Sequence, residues 1–139
     1  MSLAERDSIS IYTDGASRGN PGPASYAFVM VDAGSIVHEA SGFLGERTNN
    51  QAEYHAIINA LETAIEHGIT DVTLYSDSQL VVNQLNGKWQ VKDATLHDLF
   101  EQVKHLLDEC NVTFTQVPRE NDFVDRSDTL CNTVLDRQG

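Results

Sequence analysis

The stretch NQAEYHAIINALETAIEHGITDVTLYSD, residues 50–77, changes the apolar period of the chain twice. In its first part Tyr54, Ile57, Ile58, Leu61, Ala64 and Ile65 recur three and four apart, the spacing of one helix face, and Gly68 supplies the stop. Val72 to Tyr75 then reads as a short β-branched strand. Strands separated by helices of this length imply parallel crossovers, since a tight hairpin returns a strand only antiparallel.

Toward the N-terminus, Ser8 to Thr13 alternates Ile9 and Ile11 with serines and reads as a strand. Gly15 to Pro23 carries glycines and prolines in loop-forming density, and extended runs follow at Ser25 to Val31 and Ser35 to Leu44, joined by a turn at Asp32, Ala33 and Gly34. Toward the C-terminus, Ser78 to Leu85 reads as a helix ending at Asn86 and Gly87. Ala94 to Glu109 is a second, with Asp93 or Thr95 as its cap and an apolar stripe from Leu96 to Cys110. Val112 to Val117 is a strand, and Leu130, Cys131, Val134 and Leu135 mark a last short helix. The order β-β-β-α-β-α-α-β-α predicts one α/β domain over residues 1–139, with Met1 to Asp7 as a flexible N-terminus. Its mixed five-stranded sheet is antiparallel in the first three strands and parallel in the rest, with flanking helices. In such sheets ligands gather where strand ends meet loops and helix starts.

Charge narrows the function classes. Against 21 Asp and Glu stand 9 Lys and Arg, a formal net charge of -12, which opposes nonspecific electrostatic binding to nucleic acids or anionic membranes. Cys110 and Cys131 lack metal-ligand spacing and read as buried free thiols of a reducing compartment. No targeting segment is visible and no apolar run approaches the roughly 20 residues that span a bilayer, so the expectation is a soluble cytoplasmic monomer. A nucleic-acid function has to rest on a site.

Four carboxylates stand at element ends: Asp14 after the first strand, Glu53 in the first turn of the first helix, Asp77 after the fourth strand, and Asp128 opening the last helix. Each alone has a structural role open to it. Glu53 is spaced to close a capping box with Asn50, Asp77 and Asp128 suit helix N-termini, and Asp14 before Gly15 suits a turn. Gathered at one rim of the sheet, the four would repel one another unless cations were bound, and hard oxygen donors suit Mg²⁺ or Mn²⁺. Two such ions about 4 Å apart serve phosphoryl transfer.

The segments Thr13 to Gly22, Thr48-Asn49-Asn50-Gln51-Ala52-Glu53, Tyr75-Ser76-Asp77-Ser78-Gln79 and Ser127-Asp128-Thr129-Leu130-Cys131-Asn132 together resemble the type 1 ribonuclease H family, in order and spacing over residues 8–136. The resemblance implies a ribonuclease H-like fold and an endonuclease that hydrolyses the RNA strand of RNA/DNA hybrids, leaving 5′-phosphate and 3′-hydroxyl ends. It assigns two Mg²⁺ ions, replaceable by Mn²⁺, to Asp14, Glu53, Asp77 and Asp128. Asp14 and Asp77 would touch both metals or the most buried metal positions, Glu53 one metal and the RNA side, and Asp128 the ion that generates the attacking hydroxide. Asp125 competes for the fourth place. Asp128 is preferred because it keeps Leu130, Cys131 and Val134 on the buried face, and this choice requires a lengthened loop from Asn121 to Arg126.

The same resemblance assigns minor-groove contacts to the Gly15 to Asn20 loop, with Gly15, Ser17 and Asn20, and to Asn49, Asn50 and Gln51, whose amides can both donate to and accept from a 2′-hydroxyl. Thr48 is assigned to a DNA-phosphate pocket, and Trp89 either stacks near the DNA strand or packs beside a helix end. Two departures matter. Only Asn86 to Asp93, with Lys88, Trp89 and Lys92, stands where many members carry a basic insertion, and no histidine follows His105 where many have one before the last acid. Arg119 and Glu120 occupy that place, and by position alone either could substitute by contacting phosphate or orienting water, with Arg119 taken as substrate-binding. His38, His55, His67, His97 and His105 read as surface or boundary residues. Six of the nine bases, Arg18, Arg47, Lys88, Lys92, Arg119 and Arg126, fall in or beside substrate-facing segments. The rivals to this reading are a catalytically silent hybrid-binding module and a DNA-acting nuclease of the same superfamily.

Overall fold

A computed structural model describes residue 3 and residues 6–138. Strands β1 (Ser8–Ser17), β2 (Gly22–Asp32) and β3 (Ser35–Arg47) form an antiparallel meander. After helix α1 (Asn49–Glu66), strand β4 (Asp71–Ser76) returns parallel to β1. Helices α2 (Gln79–Leu85) and α3 (Ala94–Leu106) lead to β5 (Asn111–Gln116), parallel to β4, and α4 (Asp122–Gln138) closes the chain. The sheet order is β3-β2-β1-β4-β5, the mixed arrangement that the crossover spacing predicts.

The core explains the layers. Ile9, Ile11, Phe28, Met30 and Leu74 point to one face of the sheet, where they meet Tyr54, Ile57 and Leu61 of α1 and Leu96, Leu99 and Val103 of α3. β2 is buried on both faces, because Ala27, Val29 and Val31 alternate toward the side that α4 covers. This accounts for its unbroken apolar run, which lacks the alternation of a half-exposed strand.

Three local expectations need correcting. The segment from Gly15 to Pro23 is mostly strand: Gly15, Ala16 and Ser17 pair with Tyr26, Ser25 and Ala24, and the connection shrinks to residues 18–21, closed by a hydrogen bond from Arg18 N to Pro23 O at 2.8 Å. Gly15 is there for close approach, since a Cβ would overlap the backbone of Ala52 and Glu53 in α1. The capping box of α1 belongs to Thr48 and Gln51, with Gln51 N donating to Thr48 Oγ1 at 3.2 Å and Thr48 N to Gln51 Oε1 at 2.9 Å. Glu53 is therefore free of any capping role.

The third correction concerns the last helix. It begins at Asp122, with no lengthened loop: Asn121 Oδ1 accepts from the N–H groups of Phe123 and Val124 at 2.9 and 3.2 Å. Asp128 sits well inside the helix and has no N-terminal role. Of the two proposed caps for α3, Asp93 serves, accepting from Leu96 N at 2.9 Å. Residues 1, 2, 4 and 5 of the segment read as a flexible terminus lie outside the described residues. Within that segment Leu3 packs against the core, and Asp7 O accepts from Thr70 N and Asp71 N.

Candidate metal centre

Parallel pairing of β1 with β4 aligns Tyr12 with Tyr75, so Asp14 and Asp77, each two residues further on, emerge side by side at the same rim. α1 enters from the other face, and the contact that Gly15 permits brings Glu53 to them: Gly15 N donates to Glu53 Oε1. One carboxylate oxygen from each of Asp14, Glu53 and Asp77 lies within 4.8 Å of the others. Asp14 and Glu53 are buried, at 7% and 3% exposure. Asp128 of α4 lines the same cavity of about 290 Å³, together with Arg119 and Asn132, whereas Asp125 is exposed to solvent. Asp128 follows the buried Ser127 and is half-buried, whereas Asp125, nearer the start of α4, is exposed.

The electrostatics of this cluster call for positive charge. Burial, and then the charges of Glu53 and Asp77 and a hydrogen bond with Asp128, hold the Asp14 carboxyl far above the usual carboxylate range. Glu53 is also raised, first by burial and then by Asp77, and the Gly15 N–H opposes the rise. Asp77 is raised by burial, with Arg119 pulling against it. Asp14 Oδ2 is buried with no hydrogen-bond partner. An orphaned oxygen among three other carboxyl groups is costly as it stands and becomes favourable with a hard divalent cation. The donor set therefore fits Mg²⁺ or Mn²⁺.

The family described as "Reverse transcriptase-like" matches residues 12–132. The crystal structure of RNase H1 from the halophilic archaeon Halobacterium salinarum superposes with a TM-score of 0.89 at 44% identity, covering 94% of this chain and 98% of that one. This chain belongs to the type 1 ribonuclease H family. LC11-RNase H1, solved in complex with an RNA/DNA hybrid, gives a TM-score of 0.88 at 41% identity over 94% of this chain and 98% of that one. Among curated relatives, the Halobacterium salinarum ribonuclease HI is 45% identical over 92% of this chain. The chain spans 64% of that protein's length and 35% of the mycobacterial relatives'.

Within the ribonuclease H framework the remaining residues sort clearly. Gly15, Ser17 and Asn49 line the carboxylate cavity. Asn20 is tied to the start of α1, its Oδ1 accepting from Asn49 N at 3.1 Å. Thr48 and Gln51 spend one acceptor each on the capping box, and Gln51 faces a neighbouring cavity with Arg47 and His55. Asn50 is half-buried in the first turn. Trp89 is 44% exposed on the short α2–α3 connection, beside a cavity lined by Val91, His97 and Phe100. Arg119 fronts Asp77, but Glu120 is not among the residues lining the cavity.

Two of the six bases read as substrate-facing are bound into α4's own contacts. Arg18 reaches Asp136 at 2.6 Å, and Arg126 grips Glu39 of β3 with two bonds of 2.7 and 3.1 Å. Asn132, which the sequence shows only as the end of the Ser127–Asn132 motif without a role, has one here: its Nδ2 donates to Asp128 O at 3.1 Å and approaches Asp128 Oδ2 at 3.3 Å. Its spacing of four from Asp128, one helical turn, was the available signal. Among the described residues no helix is long and apolar enough to cross a membrane.

Proposed function

We propose that this chain is an endonuclease that hydrolyses the RNA strand of RNA/DNA hybrids, using two divalent cations held by Asp14, Glu53, Asp77 and Asp128 and leaving 5′-phosphate and 3′-hydroxyl ends. The observation that carries the reading is the convergence of these carboxyl groups around the partnerless Asp14 Oδ2. Mg²⁺, or Mn²⁺ in its place, supplies Lewis-acid stabilisation of the charge that develops on the phosphate and activation of water at neutral pH.

The chain's own residues perform the rest. The Gly15 N–H fixes one oxygen of Glu53 and leaves the other for the cavity. Ser17 and Asn49, at the cavity wall, offer hydroxyl and amide groups of the kind that can donate to and accept from a 2′-hydroxyl. Arg119 brings a fixed positive charge against the phosphate, opposite the carboxylates. Trp89 offers an exposed ring for stacking on a base of the DNA strand, and Asn20, Thr48, Asn50 and Gln51 are the further hybrid contacts of this reading. The solved hybrid complex of LC11-RNase H1 supports this choice of substrate class. Action in a reducing cytoplasm, supported by the two buried, unpaired cysteines, and as a monomer completes the proposal.

The test offers RNA/DNA hybrid, single-stranded RNA, duplex RNA and duplex DNA to the protein with Mg²⁺, with Mn²⁺ and with chelator. Cleavage confined to the RNA of the hybrid and abolished by chelator or by Asp77→Asn is the expected result. Metal-independent cleavage, or an intact hybrid bound equally by wild type and Asp77→Asn, sinks it. Arg119→Ala that leaves both turnover and hybrid affinity unchanged removes the phosphate role of Arg119.

A further inference from the structure

Two serine hydroxyls are sealed inside the protein around the helical turn that carries Asp128. Ser127 and Ser25 both have zero exposure. A hydroxyl buried without a partner is costly, and alanine would fill either position with almost the same volume, so packing alone gives no reason for serine here. Each hydroxyl has a directed partner. Ser127 Oγ donates to Tyr12 O at 3.0 Å, with Phe123 O one turn back at 3.1 Å as a second acceptor. Tyr12 lies two residues before Asp14 on β1. Ser25 Oγ, on β2 opposite Ala16, donates to Cys131 O at 2.9 Å. The Cys131 thiol in turn faces Asp14 O at 3.5 Å.

The two bonds run in opposite senses. One leaves α4 for the strand that holds Asp14, the other arrives on α4 from the neighbouring strand, and Asp128 lies between their attachment points at 127 and 131. A slide or rotation of the helix breaks both. We infer that Ser127 and Ser25 are positioning residues that hold Asp128 in place against Asp14 and thereby set the affinity of the site for divalent cations. This rests on the reading of Asp128 as a metal ligand.

Mn²⁺ binding to the substrate-free protein, followed by loss of the free-ion electron paramagnetic resonance signal, gives a readout independent of turnover. Ser127→Ala and Ser25→Ala should each weaken Mn²⁺ binding about tenfold, the scale on which partners that orient metal ligands act, and should raise the Mg²⁺ concentration for half-maximal activity in parallel. In an Asp128→Asn background, Ser127→Ala should change Mn²⁺ affinity less than about twofold, since the ligand it positions is gone. Should Ser127→Ala fail to fold, Ser25→Ala, on a different element, decides the question alone. Wild-type Mn²⁺ affinity in the alanine variants with only a lowered melting temperature overturns the inference, as does an equal loss with and without Asp128. Unchanged Mn²⁺ affinity in Asp128→Asn itself would sink the ligand reading and the inference together, so the two failures are distinguishable.

Discussion

Helices α1 and α4 bring carboxylates to one cavity from opposite faces of the sheet, and they are held there by different physics. α1 delivers Glu53 on an apolar face, with Ala52, Tyr54, Ile57, Ile58 and Leu61 buried around it and Gly15 letting its backbone close on β1. α4 delivers Asp128 on a stripe of Val124, Ser127, Cys131 and Leu135, with ion pairs to Glu39 from Arg126 and from Asp136 to Arg18 at its flanks. The first is fixed by volume, through many small contacts of which no single one is decisive. The second is fixed by a few directed polar bonds. One cavity thus combines a rigid wall with a wall whose position depends on individual hydrogen bonds.

The largest effects should come from removing the ligand on each wall. Glu53→Gln is expected to lower the turnover of hybrid by about 10³-fold or more, a loss typical of removing a group that stabilises transition-state charge in a closed site. Asp128→Asn should cost less, on the order of 10²-fold, because Asp128 is only half-buried and lies outside the tight trio of Asp14, Glu53 and Asp77. Single-turnover cleavage at saturating Mg²⁺ measures both. A larger loss for Asp128→Asn would reverse the ranking of the two walls.

Next in size is the approach of α1 to β1. Gly15→Ala places a methyl group into the backbone of Ala52 and Glu53, and neither can move without shifting the helix, so destabilisation of about 1–3 kcal/mol or more is expected. Ser127→Ala, which removes one hydrogen bond on the other wall, should cost about 1 kcal/mol. Urea titration compares them directly. Comparable costs would mean that α1 yields as readily as α4.

The carboxylates also make the metal-free fold sensitive to pH. Asp14, Glu53 and Asp77 all hold protons to higher pH in the folded protein than in the unfolded chain, where carboxylates titrate near about 4. Between those limits the native state binds more protons, so stability is fullest below the unfolded values and is lost as pH rises toward the raised ones. In chelator, each proton the native cluster retains is worth about 1.4 kcal/mol per pH unit, so Asp14 alone should make stability fall on the order of 4 kcal/mol between pH 5 and pH 8. Asp14→Asn or saturating Mg²⁺ should flatten the slope. A metal-free protein whose melting temperature rises over this interval, with Asp14→Asn following the same curve, would show that the repulsion is absent.

The same contrast explains what the sequence disclosed. α1 was legible because its buried face is apolar at helical spacing, and the parallel crossover followed from it; Asp14, Glu53 and Asp77 were then found by their places at element ends. The first two turns of α4 were not legible. Asp122, Asp125, Arg126, Ser127 and Asp128 offer no apolar stripe, and the one large buried side chain there, Val124, cannot define a period. The hydroxyl of Ser127 replaces an apolar contact with a hydrogen bond to β1, a partner 115 residues away that no local pattern reveals. Gly15 misled for a related reason: glycine for close approach and glycine for a turn look alike until the neighbouring helix is in place.

The smallest expected effect tests the flank of the weaker wall. Arg18 sits in the connection between β1 and β2, and its guanidinium is directed to Asp136 at 2.6 Å, with Asn132 at 3.5 Å. Both partners of the ion pair are well exposed, so solvent screens it and Arg18→Ala should cost no more than about 0.5 kcal/mol of stability. The informative quantity is the salt dependence of hybrid binding. An arginine that pairs with the phosphate backbone releases counterions, and its removal makes the salt slope shallower by roughly one. An arginine engaged with Asp136 leaves that slope unchanged, which is the expected outcome for Arg18→Ala; Arg119→Ala should reduce it. A reduced slope in Arg18→Ala would mean that the Asp136 pair opens when the hybrid docks, and that α4 exchanges one of its polar ties for a contact to the nucleic acid.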